Sequence, residues 1–145
     1  MKKVTIRELK ETDFEAVRAL LKTRDGLDKA KAKKRAKLVE WIAFNNPHSN
    51  GEPGYFVAES SGEIVGIHGR MPYDLVLNGE ILKSYFFHDL YVDPEFRKKG
   101  MGFWTTMAFA RHFETTSEKL FCVVGMNKIN RDMQRRRPYY ECPII

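Results

Sequence analysis

Asn78-Gly79 constrains this chain more than any other pair of residues in it. A type I′ turn needs positive φ at both central positions, which Asn and Gly adopt most readily, and its twist suits the two strands it joins. The flanks read as strands. Glu63-Ile64-Val65-Gly66-Ile67 opens a run that continues past Met71-Pro72 to Leu77, and the return run goes from Ile81 to Val92. Tyr55-Phe56-Val57-Ala58-Glu59 is a further strand, joined to the hairpin by the tight turn Ser60-Ser61-Gly62, and extends the same sheet.

Before this sheet the periodicity is mostly helical. Val4 to Leu9 alternates as a short strand. Thr12-Asp13-Phe14-Glu15 then has the spacing of a capping box, with Thr12 as the cap, and Phe14, Val17, Leu20 and Leu21 carry an apolar stripe to about Lys22. Asp25-Gly26 breaks it. A second helix from about Asp28 is expected to use Leu38, Trp41 and Ile42 as its seam and to stop at Asn45-Asn46-Pro47, because the residue before a proline is driven out of the helical region. A polar loop runs from His48 to Gly54.

After Val92 the text changes to Asp93-Pro94-Glu95-Phe96-Arg97-Lys98-Lys99-Gly100-Met101-Gly102 and then to a helical run of about 15 residues from Phe103. Leu120 to Val124 has the unbroken apolar character of a strand in a sheet centre. Asn127 to Arg137 reads as another helix ended by Pro138, and Tyr139 to Ile145 as a strand cut short.

Composition excludes several classes. With 145 residues, 43% hydrophobic and 30% charged, the chain has the make-up of one soluble globular domain, either whole or a piece of something longer, and not of a disordered, collagenous or disulfide-stapled protein. Cys122 and Cys142 lack a CxxC spacing and the His residues at 48, 68, 88 and 112 are scattered, so no metal is expected. Charges interrupt every apolar run before signal-peptide or membrane-span length, and the cytoplasm is the expected compartment. The net charge of +6 gathers in Lys29–Lys37, Arg97–Lys99 and Arg131–Arg137. The first cluster lacks the interleaved aromatics of a nucleic-acid surface and reads as a solvated helix face, so a nucleic-acid partner is not the expectation, and a basic nucleic-acid-binding domain built on Lys29–Lys37 and Arg131–Arg137 stays as an alternative.

The basic glycine loop is chemically more telling. It leads from a strand into a helix whose first N–H groups have no partner within the helix, at the positive end of the helix dipole. Gly100 and Gly102 let the backbone approach a diphosphate, and Arg97 can make charge-assisted bonds to it. The spacing is neither the Walker pattern nor GxGxxG.

Leu90-x-Val92-x-Pro94-x-x-Arg97-x-x-Gly100-x-Gly102 does resemble the acetyl-CoA-binding motif of the GNAT acyltransferases. The order of elements agrees. The resemblance implies an α+β fold in three layers, a mixed and mostly antiparallel central sheet flanked by helices, over residues 1–145. Set against the family, the last strand is expected to be missing or truncated, and the open sheet edge this would leave is the expected seat of a homodimer.

The resemblance further implies an N-acetyltransferase that uses acetyl-CoA as co-substrate and passes the acetyl group directly to a primary amine on a small molecule or peptide, with a CoA-binding module of little or no catalysis as the alternative. Lys98, Lys99, Gly100, Met101, Gly102 and Phe103 would offer N–H groups to the pyrophosphate, with Arg97 beside them. Leu90, Tyr91 and Val92 would pair with the pantetheine arm, in a slot where this strand splays from 120–124. A backbone N–H of Tyr91 or Val92 would polarise the thioester carbonyl, and Asn127 matches the Asn of the family's last helix.

His88 is the candidate base, since neutral imidazole suits proton uptake near neutral pH. Strict alternation puts Phe86, His88, Leu90 and Val92 on one face and Phe87, Asp89 and Tyr91 on the other, so Asp89, the second choice, is expected to point away from His88. Gln134 stands where the family often has the Tyr that protonates the thiolate, which leaves Tyr139 and Tyr140 as candidate acids. His68 and His112 are assigned structural places.

Overall fold

The computed structural model describes residues 3–24, 28–116 and 120–123. In chain order its elements are β1 (Thr5–Glu8), α1 (Phe14–Lys22), α2 (Lys29–Glu40), β2 (Tyr55–Ser60), β3 (Glu63–Leu77), β4 (Glu80–Val92), a single turn α3 (Pro94–Phe96), α4 (Gly102–Thr116) and β5 (Leu120–Val123). The strands form one sheet in the order β1-β2-β3-β4-β5. The first four are antiparallel neighbours, and β5 runs parallel to β4. This is the mixed, mostly antiparallel sheet expected. The helix expected over Asn127–Arg137 and the strand over Tyr139–Ile145 lie outside the described residues, as does the sheet edge expected there.

Both tight turns follow from their residues. Asn78 and Gly79 have φ of 52° and 83°, and Ser61 and Gly62 have 55° and 81°, so each pair supplies the two positive angles a twisted hairpin needs.

One helix face matches its periodicity and one does not. Phe14, Val17, Leu20 and Leu21 of α1 are all buried, as their spacing requires. The helix does not start on Thr12, however. A 3₁₀ turn over Glu11–Asp13 precedes it, and the Asp13 carboxylate accepts the Lys10 N–H at 2.9 Å while pairing with Arg7 at 2.6 Å. An anionic acceptor already fixed by an arginine outcompetes a neutral hydroxyl. Glu15 is taken by Arg18 at 2.8 Å.

In α2 the buried positions are Ala32, Ala36 and Val39, continued by Ile42, while Leu38 and Trp41 are 41% and 47% exposed. The expected seam is therefore displaced. Two alanines let the helix backbone lie close to its neighbours, and Trp41–Asn45 continues as a wider π-type turn that shifts the phase of the residues after Glu40.

The sheet divides two cores. On one face α1 and α2 pack on Tyr55, Val57, Ile67 and Tyr91, and on the other α4 places Phe109 and Phe113 over Phe56, Phe87 and Val92. Each large side chain buried there contributes about 1.5–3 kcal/mol. Among the described residues no helix is long and apolar enough to cross a membrane, and no group of three or more His, Cys, Asp or Glu side chains is placed to hold a metal ion.

Candidate active site

The feature that organises the site is a β-bulge in β4. Ile67 faces Tyr91 and Gly69 faces His88, so Asp89 and Leu90 together oppose His68 alone. Asp89 takes the left-handed conformation, with φ 56°, one of the few that a short polar residue tolerates without glycine. The extra residue reverses the alternation. Leu90 and Val92 join Phe87 in the α4 core, whereas Tyr91 joins the α1–α2 core. Asp89 consequently turns to the side of His88, contrary to strict alternation, which cannot register an inserted residue.

Around Asp89 the chain gathers a polar network from four elements. Its side chain is 1% exposed. Arg24, just past α1, reaches Oδ1 at 3.0 Å, and Arg35 of α2 bonds the same oxygen. Tyr55 of β2 donates its hydroxyl to Oδ2 at 2.8 Å. Burial by itself would raise the Asp89 carboxyl, but His88, Arg35 and Arg24 outweigh it and hold the group well below the usual carboxylate range. Burial first, and then the Asp89 charge, push the Tyr55 phenol well above its ordinary value.

His88 sits within this network. Tyr55, Gly69 and His88 are directly opposed across β2, β3 and β4, so all three share a face. The imidazole lies on Gly69: a Cβ there would stand 2.2 Å from its Cε1. The Tyr55 ring meets it edge-on at 5.1 Å. Nδ1 is 3.3 Å from the Tyr55 oxygen and 3.8 Å from Asp89 Oδ2, the second being an ionic separation and not a hydrogen bond. Nε2 is buried and, among the described residues, has no hydrogen-bond partner.

The glycine loop follows at once. The Asp93 carboxylate caps α3 through the Phe96 N–H at 3.0 Å, and a wide turn over Arg97–Met101 leads into α4. Arg97 to Gly100 are exposed, and Gly100 has φ 75° with no described residue within 4 Å of where a Cβ would be. A Cβ on Gly102 would stand 2.9 Å from Arg97 Cγ, so this glycine lets the arginine stem fold across the start of α4. The Arg97 guanidinium then lies 5.7 Å over the Tyr91 ring, whose hydroxyl is 3.0 Å from Thr23 Oγ1.

These residues fit an acyl-CoA. The loop offers a positive-φ glycine, an exposed cationic rim and the start of a 15-residue helix. β5 faces β4 only from Ser84 to Phe87, so among the described residues nothing pairs with His88–Val92 on that side. The loop follows β4 through α3, and His88 lies on the same strand as Leu90, Tyr91 and Val92. The Phe103 side chain is exposed against the Trp104 ring. Asn127, Tyr139 and Tyr140 lie outside the described residues.

Four residues of the site escape the sequence reading: Arg24, Arg35, Tyr55 and Gly69. Gly69 alone leaves a trace, because a glycine inside a strand marks a close approach by another group.

The model of the acetyltransferase (GNAT) family matches residues 7–135. No curated protein matches the chain. Among solved structures, an aminoglycoside N-acetyltransferase, AAC(6')-Iy in complex with CoA, is 17% identical, with a TM-score of 0.66 over 100% of this chain and 93% of its own. Glucosamine-6-phosphate N-acetyltransferase from Arabidopsis thaliana is 17% identical, with a TM-score of 0.61 over 99% and 95%. A predicted acetyltransferase with acetyl-CoA from Clostridium acetobutylicum is 14% identical, with a TM-score of 0.62 over 97% and 92%. At these identities the structures speak for the fold, and the family match, which spans most of the sequence, speaks for descent: the chain belongs to the acetyltransferase (GNAT) family.

Proposed function

We propose that this protein is an acetyl-CoA-dependent N-acetyltransferase that acylates a primary amine in a ternary complex, with His88 as general base. The observation that carries the reading is His88 Nε2, a buried ring nitrogen without a partner among the described residues, on the strand that leads through α3 into the cationic glycine loop.

Bound acetyl-CoA supplies a thioester acyl group with a thiol as leaving group. The chain's own residues do the rest. N–H groups from Lys98 to Phe103 and the Arg97 guanidinium hold the pyrophosphate. The main chain of Leu90–Val92, free on its β5 side among the described residues, takes up the pantetheine amides. A backbone N–H at Tyr91 or Val92 stabilises negative charge on the carbonyl oxygen.

An amine like that of lysine has a pKa of about 10 and arrives protonated near pH 7. His88 Nε2 first takes a proton from the ammonium, which frees the nitrogen lone pair that forms the N–C bond, and the second proton of the acceptor nitrogen passes to water as the amide forms. The C–S bond breaks with its electron pair left on sulfur, which takes a proton from water or from a side chain. Tyr139 and Tyr140 are the proposed donors for that last transfer.

The test has two stages. Acetyl-CoA at millimolar concentration is expected to raise the melting temperature, and Arg97→Glu to abolish the rise. Thiol release is then followed against amines, amino acids, polyamines and peptides. A thermal shift without thiol release would leave a CoA-binding module, and no shift at all would sink the reading.

A further inference from the structure

We propose that Asp89 and Tyr55 are positioning residues that hold His88 as the Nδ1–H tautomer, so that Nε2 is left as the bare, proton-accepting nitrogen of the ring. The inference rests on the reading of His88 as base, and it follows from counting protons in the network.

Asp89 is paired with two guanidiniums and has no proton to give, so its oxygens only accept. Tyr55 has one hydroxyl proton. Its oxygen is 2.8 Å from Asp89 Oδ2, and the proton is committed there. The same oxygen is 3.3 Å from His88 Nδ1 and has only lone pairs left to offer. Nδ1 must therefore carry a hydrogen and donate it. A neutral imidazole has one N–H, which leaves Nε2 unprotonated. The reverse assignment would bring two lone pairs together at Nδ1 and Tyr55, and would bury an N–H at Nε2 where no described residue offers an acceptor.

The bulge makes this possible. In unbroken alternation Asp89 would point to the α4 face, away from both Tyr55 and His88. Its positive φ returns it to their side, where Arg24 and Arg35 meet it. The charged and titratable groups around the imidazole are thus Arg24 beside α1, Arg35 on α2, Tyr55 on β2, and Asp89 on its own strand, with His68 the neighbour of Gly69 on β3. Protonation of Nε2 during turnover gives an imidazolium that keeps the Nδ1–H bond to Tyr55, so the ring changes charge without turning.

The experiment reads the tautomer directly, without substrate. The full chain is labelled with ¹⁵N-histidine and long-range ¹H–¹⁵N spectra are taken at about pH 8, above the ordinary histidine range. His88→Gln identifies the His88 signals by their loss. The wild type should show a protonated Nδ1 and a bare Nε2, the opposite of free histidine. Tyr55→Phe keeps the ring and removes the acceptor, and His88 should then shift toward the Nε2–H form, with kcat down about tenfold and KM for acetyl-CoA unchanged. A wild-type His88 in the Nε2–H form overturns the inference even if Tyr55→Phe does not fold, and so does a tautomer unmoved by Tyr55→Phe. Full activity in His88→Gln would instead overturn the assignment of the base, whatever the spectrum shows.

Discussion

At the scale of single residues, the site depends on what glycine leaves out. Gly69 sits between Tyr55 and His88 in register, and the imidazole occupies the space where any other residue would have its first side-chain carbon. Backbone conformation is not the constraint, since Gly69 does not have positive φ. The constraint is volume, and the obstacle is a ring held edge-on by Tyr55, which cannot give way like the tip of a lysine. Gly69→Ala is therefore expected to keep the fold, as judged by circular dichroism, but to displace the His88 ring. A displacement of about 1 Å at a reacting atom can cost on the order of 10²-fold. Thiol-release assays should show kcat lowered by about that factor with the acetyl-CoA thermal shift retained. Wild-type kcat in Gly69→Ala would mean that the seat of His88 is unimportant.

At the scale of elements, local signals and long-range ones separate. The Asn78-Gly79 turn, the α1 stripe and the strand–loop–helix passage from Leu90 to α4 were legible because the residues that cause them are neighbours in sequence. Asp89 was not. Whether a strand takes an extra residue depends on partners far away, here Arg24, Arg35 and Tyr55, between 34 and 65 residues distant in sequence. Arg35 was hidden in the Lys29–Lys37 run, where composition pointed to a solvated face and gave no reason for one guanidinium to turn inward. The α2 seam was missed because Ala32 and Ala36 carry too little apolar weight to mark a face.

The loop itself yields a prediction that separates stability from binding. Within a helix, Gly→Ala ordinarily stabilises by about 0.5–1 kcal/mol, and Gly102 has helical angles of −59° and −46°. Its new Cβ would press on Arg97 Cγ at 2.9 Å, near the root of the side chain and not at its free end. Gly102→Ala should thus leave the melting temperature of the free protein about unchanged, the gain in helix propensity being offset by that contact, while shrinking the acetyl-CoA-induced shift. A full shift in that variant would show that Arg97 need not cross the start of α4 to engage the ligand.

At the scale of the whole molecule, acid is expected to weaken the fold in two stages, one set by each side of the sheet. On the α4 side His68 lies among Phe87, Phe109 and Phe113, with Nδ1 donating to the Gly69 carbonyl at 2.9 Å. Burial lowers it to about 4, although that hydrogen bond works in the opposite direction. His112 is also lowered, by burial and then by the charge of Arg70. Between about pH 6.5 and pH 4 the unfolded chain binds protons that the folded chain refuses, so stability is full above this window and falls as pH drops through it. With allowance for the partial exposure of the His68 ring, the loss is on the order of 2–3 kcal/mol. On the α1–α2 side Asp89 is held low against its own burial, and Asp13 is lowered chiefly by its bond from Arg7. Their contribution is present above the ordinary carboxylate pKa of about 3.9 and disappears as pH falls below it toward the folded values. Urea unfolding followed from pH 8 to pH 3 should show both declines. The His68→Gln/His112→Gln variant, which cannot titrate at either position, should flatten the first and retain the second. A first decline that survives in that variant would mean that the α4 face is not where the protons are refused.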